Sequence, residues 1–153
     1  MVQIREACPQ DATRLTEIAL AAKRHWGYPD RWMEIWREEL TLRPDFIAAN
    51  ETYAAVVDGQ SVGFYALTRK NDTLHLLHLW VLPDWMGRGI GRLLFFHAVE
   101  RAKALGFRQF EIESDPNAEG FYQRIGARRV GVNIHMVEQQ RRELPVMIYW
   151  VDA

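Results

Sequence analysis

Cysteine is almost missing from this chain, with Cys8 the only one in 153 residues. A lone cysteine excludes an internal disulfide framework and a multi-cysteine zinc site, and no metal is expected. Long apolar runs are missing too, and none approaches the ~20 residues that a membrane-spanning helix needs. The opening MVQIREACPQDATRL carries Arg5, Glu6 and Asp11 and lacks the apolar run of a secretory signal. Neither sign of charge prevails: 19 Lys and Arg face 20 Asp and Glu, for a net charge of −1. That balance argues against a general nucleic-acid binder and against a basic membrane-surface protein. There is no low-complexity tract, no Gly/Ser/Pro-rich linker and no repeat. The expectation is one domain over 1–153, cytoplasmic, with neither nucleic acid nor membrane as a partner.

What is present is ordinary for a folded chain, 48% apolar and 25% charged, except for six tryptophans that imply large aromatic walls. Val2–Ala7 reads as a strand, and Pro9 opens a helix with Ala12, Leu15, Ile18, Ala19 and Ala22 on one face. After His25–Pro29, Asp30 is placed to cap a second helix with Met33, Ile35, Trp36 and Leu40 as its apolar positions. Thr52–Val57, Val62–Arg69 and Thr73–Leu82 read as strands joined by the short spacers DGQ and KND, hence as two antiparallel hairpins. A long helix follows, with Ile90, Leu93, Leu94, Ala98, Ala102 and Leu105, closed by Gly106. Phe107–Glu113 is a strand, Asn117–Ile125 a short helix ended by Gly126, and strands near Arg128–Val137 and Pro145–Val151 finish the chain. The order β-α-α-β-β-β-α-β-α-β-β implies a mixed sheet with helices on it, an α/β or α+β fold.

The segment richest in chemistry is the strand–loop–helix passage through DWMGRGIG. Gly87, Gly89 and Gly91 lie where a strand hands over to a helix start. Glycines there permit a tight turn and a close backbone approach, and the helix terminus adds about half a positive charge. Arg88 and Arg92 can add charge-assisted contacts to the same anion. A phosphate or pyrophosphate suits such a site. No Gly-Lys-Ser or Gly-Lys-Thr occurs, so it is not a P-loop. Read from Gly89, a dinucleotide fingerprint fails at Leu94, where its third glycine belongs.

Met86-Gly87-Arg88-Gly89-Ile90-Gly91 resembles the acyl-CoA pyrophosphate loop of the GNAT N-acetyltransferase superfamily, [QR]-x-x-G-x-[GA], with Met86 replacing the usual Gln or Arg. Val81-Leu82-Pro83 is similar to the strand end before that loop, and Asn117–Ala127 resembles the family's N-x-x-A/G-x-x-F-Y-x-x-x-G helix. Met86 removes one side-chain contact and leaves the backbone donors. The resemblance implies a mostly antiparallel sheet of about seven strands flanked by four helices, acetyl-CoA as cofactor, and transfer of acetyl to a primary amine of a small molecule. A protein or peptide acetyltransferase and a non-catalytic acyl-CoA sensor are the alternatives. The resemblance also admits a homodimer.

It implies site residues as well. Tyr122 aligns with the tyrosine that lies beside the CoA sulfur, and Asn117 with a residue that bonds the pantetheine arm or caps a helix. Leu79, Trp80 and Val81 supply backbone to the pantetheine, and the loop from Gly87 to Arg92, Ile90 included, holds the pyrophosphate. An amine of pKa about 10.4 must lose a proton before it attacks. His75 and His78 are the candidate bases, three residues apart and so facing opposite sides of a regular strand, unless the bulge that the resemblance implies for this strand changes the phase. Glu111, Glu113 or Asp115 could serve instead through a water. Trp26, Tyr28 and Glu113 are the candidate substrate contacts, although the aromatic loop equally reads as packing of two helices against the sheet; Val132–Arg142 is the opposite wall or, at Arg141 and Arg142, a solvated turn.

Overall fold

A computed structural model describes residues 1–151. Seven strands form one sheet: β1 Gln3–Glu6, β2 Glu51–Val57, β3 Gln60–Lys70, β4 Thr73–Val81, β5 Gln109–Glu113, β6 Arg128–Val137 and β7 Gln140–Trp150. Their order is β1-β2-β3-β4-β5-β7-β6. β1–β2, β2–β3, β5–β7 and β6–β7 pair antiparallel, whereas β4 and β5 run parallel, with His75 opposite Glu111. The helices among the described residues are α1 Ala12–Arg24, α2 Asp30–Leu40, α3 Pro44–Ala49, α4 Ile90–Ala104 and α5 Glu119–Ile125.

The helix count exceeds the expected four because Pro44 starts a short helix of its own, six residues being too few to show a period. Asp30 is not the cap of α2 but its first residue, with Pro29 at the cap position. Ile35 is exposed, and Trp32 takes its place on the buried face with Met33, Trp36 and Leu40. At the chain's end, β7 starts at Gln140, so Arg141 and Arg142 are strand residues and not a turn. The turn is Glu138-Gln139, both at positive φ (49° and 68°). Neither residue type favours that region, so the sequence carries no turn signal there.

The chain packs as two compact units. The first comprises Met1–Leu67 and His78–Ala98; the second comprises Thr68–Leu77 and the residues from Val99 on. In the first, Leu15, Ile18 and Ala19 of α1, Phe64 and Tyr65 of β3, and Leu94 and Phe95 of α4 are fully buried. Gly63 has a packing reason: a Cβ there would lie 2.9 Å from the Trp80 carbonyl oxygen and 3.2 Å from Leu94 Cδ1. The absent side chain lets the end of β4 lie close against β3 just before the glycine loop. In the second unit the core is Phe110, Ile112 and Met147, with Tyr122 and Ile125 of α5 buried as well. Gly126 ends α5 at φ 115°, a left-handed cap whose N–H donates to Gln123 O.

Candidate active site

In the first unit, Gly87 (φ 76°) and Gly89 (φ 82°) hold left-handed backbone, and no heavy atom lies within 4 Å of where a Cβ would stand at either. Leu93 N donates to Gly89 O at 3.0 Å, the first bond of α4. The amides before Leu93 are therefore the orphan donors of a 15-residue helix, beside open space. Arg88 sits over the Trp85 ring (4.6 Å) and Arg92 over Phe96 (4.9 Å). Neither guanidinium has a carboxylate partner among the described residues, so both charges remain uncompensated beside those donors.

On β4, Leu74, Leu76 and His78 alternate as buried positions, while His75 and Leu77 are more open. The two histidines thus face opposite sides, as their spacing requires. His78 accepts a 3.0 Å hydrogen bond at Nδ1 from the Trp80 indole N–H, two residues on and on the same side of the strand. Its ring lies 5.9 Å from those of Phe46 and Phe64. Burial lowers its pKa to about 4.

In the second unit, Tyr122 is buried on α5, its ring edge-on to Phe121 at 5.2 Å. Burial first, and the Asp115 carboxylate second, raise its pKa well above 10. Asn117 is exposed and does not cap α5. It lies in the 3-10 turn Pro116–Ala118, and its backbone N–H and side-chain amide both donate to Asp115 Oδ1 at 2.9 Å. Asp115 thus caps that 3-10 turn, while the cap position of α5 is Ala118, without a side-chain bond. His75 Nδ1 faces Glu111 Oε2 at 3.2 Å, with side chains 28% and 32% exposed. Glu113 Oε2 accepts from Asn133 Nδ2 (2.6 Å) and lies 3.1 Å from His135 Nε2.

Among the expected substrate residues, Trp26 is 38% exposed, while Tyr28 stacks on Trp32 and meets Trp36 edge-on at 4.9 Å. Lys23 Nζ lies 4.4 Å over the Trp36 ring and 5.0 Å over Tyr28. The chain's own ammonium takes the cation-attracting faces of this cluster.

Residues 23–137 match the acetyltransferase (GNAT) domain model. The chain belongs to the GNAT acetyltransferase family. The peptidyl-lysine N-acetyltransferase YjaB of Salmonella typhimurium is 31% identical over 133 residues, 86% of each chain. A GCN5-related N-acetyltransferase from Rhodopseudomonas palustris superposes with a TM-score of 0.80 at 23% identity, over 97% of this chain and 94% of that one. PaiA N-acetyltransferase from Thermoplasma acidophilum, solved with coenzyme A, gives 0.78 at 19% identity, over 98% and 99%.

This chain is accordingly an acetyl-CoA-dependent N-acetyltransferase, and the sensor alternative gives way. The GNAT loop fits the donor's pyrophosphate on its own geometry, with an open cradle, unbonded amides and two arginines free of carboxylates. No helix among the described residues is long and apolar enough to cross a membrane, and no group of three or more His, Cys, Asp or Glu among them could hold a metal.

Sequence reasoning did not find the Trp80–His78 bond, although the i, i+2 alternation on β4 carried its signal. The burial of His78 has a measurable consequence. His78 is neutral in the fold, and its pKa is held below the 6.5 of a free imidazole. The unfolded chain therefore binds the extra proton first, and stability falls as pH drops from about 6.5 toward 4. Chemical denaturation at a series of pH values should show a shallower decline over that window in His78→Gln, which keeps an acceptor for the indole.

Proposed function

We propose that this enzyme transfers acetyl from acetyl-CoA directly to a primary amine within a ternary complex. The observation that carries the reading is the glycine cradle at the head of α4, where orphan amides lie beside open space and Arg88 and Arg92 are neighbours in the chain. Bound there, acetyl-CoA supplies the acetyl thioester. The single thiol, Cys8, is engaged with Asp11 Oδ2 at 3.4 Å, far along the chain from the loop, which favours direct attack over an acetyl-cysteine route. Arg88 and Arg92 neutralise the pyrophosphate, and backbone of Leu79–Val81 aligns the pantetheine, with Asn117 as a further hydrogen-bonding group. Tyr122, kept protonated by its burial, donates to the leaving sulfur. The family match includes residues of both compact units, and we take 1–153 as one catalytic domain in the cytoplasm.

The first reading of the acceptor is a small molecule with one primary amine. Glu113 is the candidate contact for its ammonium: Oε2 is bonded by Asn133 and faces His135, while Oε1 has no partner among the described residues and offers a counter-charge. A second reading, a lysine side chain within a peptide, is favoured by the relative from Salmonella typhimurium. Both acceptors present the same aliphatic ammonium. Thiol release measured against a panel of free alkyl amines and lysine-containing peptides separates them. A higher kcat/KM for the free amines is expected, and turnover of peptides alone would replace the first reading with the second.

A further inference from the structure

The two edges of the sheet are built differently. β1 is four residues long and carries Arg5 and Glu6, the short and charged form that blunts an edge. β6, at the other edge, is ten residues long and exposed at every position but Val137. Its Val132, Ile134 and Met136 are 37%, 47% and 63% exposed and share one face, and no strand lies outside them among the described residues. Asn133 and His135 point to the opposite face, where they meet Glu113. The turn Glu138-Gln139 has both residues at positive φ and joins the paired Val137 and Gln140. A two-residue turn of that kind closes on a hydrogen-bonded pair, and bonded pairs alternate along the ladder. The backbone N–H and C=O groups of Val132, Ile134 and Met136 therefore point outward, away from β7. The ends of this stretch carry opposite charge. A bulge between Arg129 and Gly131 takes Val130 out of the ladder, so Arg129 follows Gly131 in the pairing and returns to the face of Ile134. Glu138 closes the other end.

We propose that β6 pairs antiparallel with β6 of a second copy of this chain, about a two-fold axis through Ile134. Ile134 then faces the partner's Ile134, Val132 the partner's Met136 and Arg129 the partner's Glu138, while the outward backbone groups bond across the axis. Arg129, which already lies 3.4 Å from Glu119, serves two carboxylates in that arrangement. The charges select the register. A slip by one position sets the outward backbone groups against ones already turned to β7. A slip by two sets Glu138 against the partner's Val132 or beyond its strand, and the unlike charges no longer meet. The contact leaves Asn133 and His135 on the other face with Glu113.

Sedimentation equilibrium reads the assembly and disulfide trapping reads the register. Wild type at tens of micromolar should have twice the mass of the chain. Ile134→Lys sets two like charges together on the axis and should give a monomer with an unchanged Tm. Cys8→Ser removes the single native thiol. In that background Ile134→Cys should crosslink to its own copy on oxidation, because a bonded antiparallel pair holds its Cα atoms about 5.5 Å apart, within disulfide reach. Met136→Cys should not crosslink, since its two copies lie four positions apart along the ladder, about 13 Å at ~3.4 Å each. That exceeds the ~7 Å a disulfide can bridge. A monomeric wild type, or a dimer that Ile134→Lys leaves intact, overturns the proposal. Crosslinking through Met136 and not through Ile134 overturns the register and the charge pairing with it. None of these readouts depends on acetyl transfer, so a failure here leaves the transfer reading standing.

Discussion

Tyr122→Phe should lower kcat by about 10²-fold or more, the loss expected when a positioned proton donor is removed from the reacting centre. The ring would keep its place, because Phe retains the edge contact with Phe121 and most of the buried surface. Desulfo-CoA binding and Tm should therefore change little, which separates a lost donor from a damaged fold. The direction of the Tyr122 shift sets the pH behaviour. Its folded pKa is raised above the ordinary 10.0, so the hydroxyl stays protonated throughout neutral and mildly alkaline solution. No alkaline limb from Tyr122 should appear in kcat below about pH 10. For stability the sign is the same: above pH 10 the unfolded chain releases this proton and the folded one does not, so stability declines with rising pH. Tyr122→Phe should lack that decline. Steady-state thiol release and thermal melts across pH measure both, and undiminished turnover in the variant would remove Tyr122 from the chemistry.

Gly89→Val should weaken coenzyme A binding by at least about ten-fold, or ~1.4 kcal/mol. Two effects combine. The backbone at φ 82° costs roughly 1–2 kcal/mol once a side chain is attached. The side chain would also enter the open space in front of the α4 amides, where the pyrophosphate is proposed to lie. Gly59→Ala provides the control, since Gly59 has nearly the same φ (79°) and equally open surroundings, in the β2–β3 turn. It should lose a comparable amount of stability and none of its affinity. Isothermal titration with desulfo-CoA reads the difference. Equal affinities in Gly89→Val and wild type would mean that the cradle does not hold the cofactor.

The elements that sequence found share a property: their signals are local. Short turn-forming spacers delimited β2 to β4, the Asp58-Gly59 turn follows from residues that tolerate positive φ (49° and 79°), and the face of α1 is buried as its spacing requires. Elements without such signals were not legible. α3 is too short to show a period, and the β6–β7 turn at Glu138-Gln139 is imposed by the pairing of two long strands from Arg128↔Ile148 to Val137↔Gln140. There the ladder prevails over the residues' own preference.

The same division holds for the site. The glycine loop was legible because glycines at a strand-to-helix junction report backbone geometry directly, and no partner from elsewhere in the chain is needed to see it. The aromatic loop left two readings open, a binding wall and a helix–helix contact, and packing put Trp32 and Trp36 inside with Lys23 over their cluster. The sequence by itself carried the motifs that resemble the family, the glycines at a strand-to-helix junction and the spacing that puts His75 and His78 on opposite sides, because motif spacing and strand alternation are short-range properties. Only the tertiary structure decided which groups those two histidines meet and that Asp115 bonds Asn117. A side chain's partner is set by which strands pair, and for His75 that partner, Glu111, arrives from β5, far along the chain.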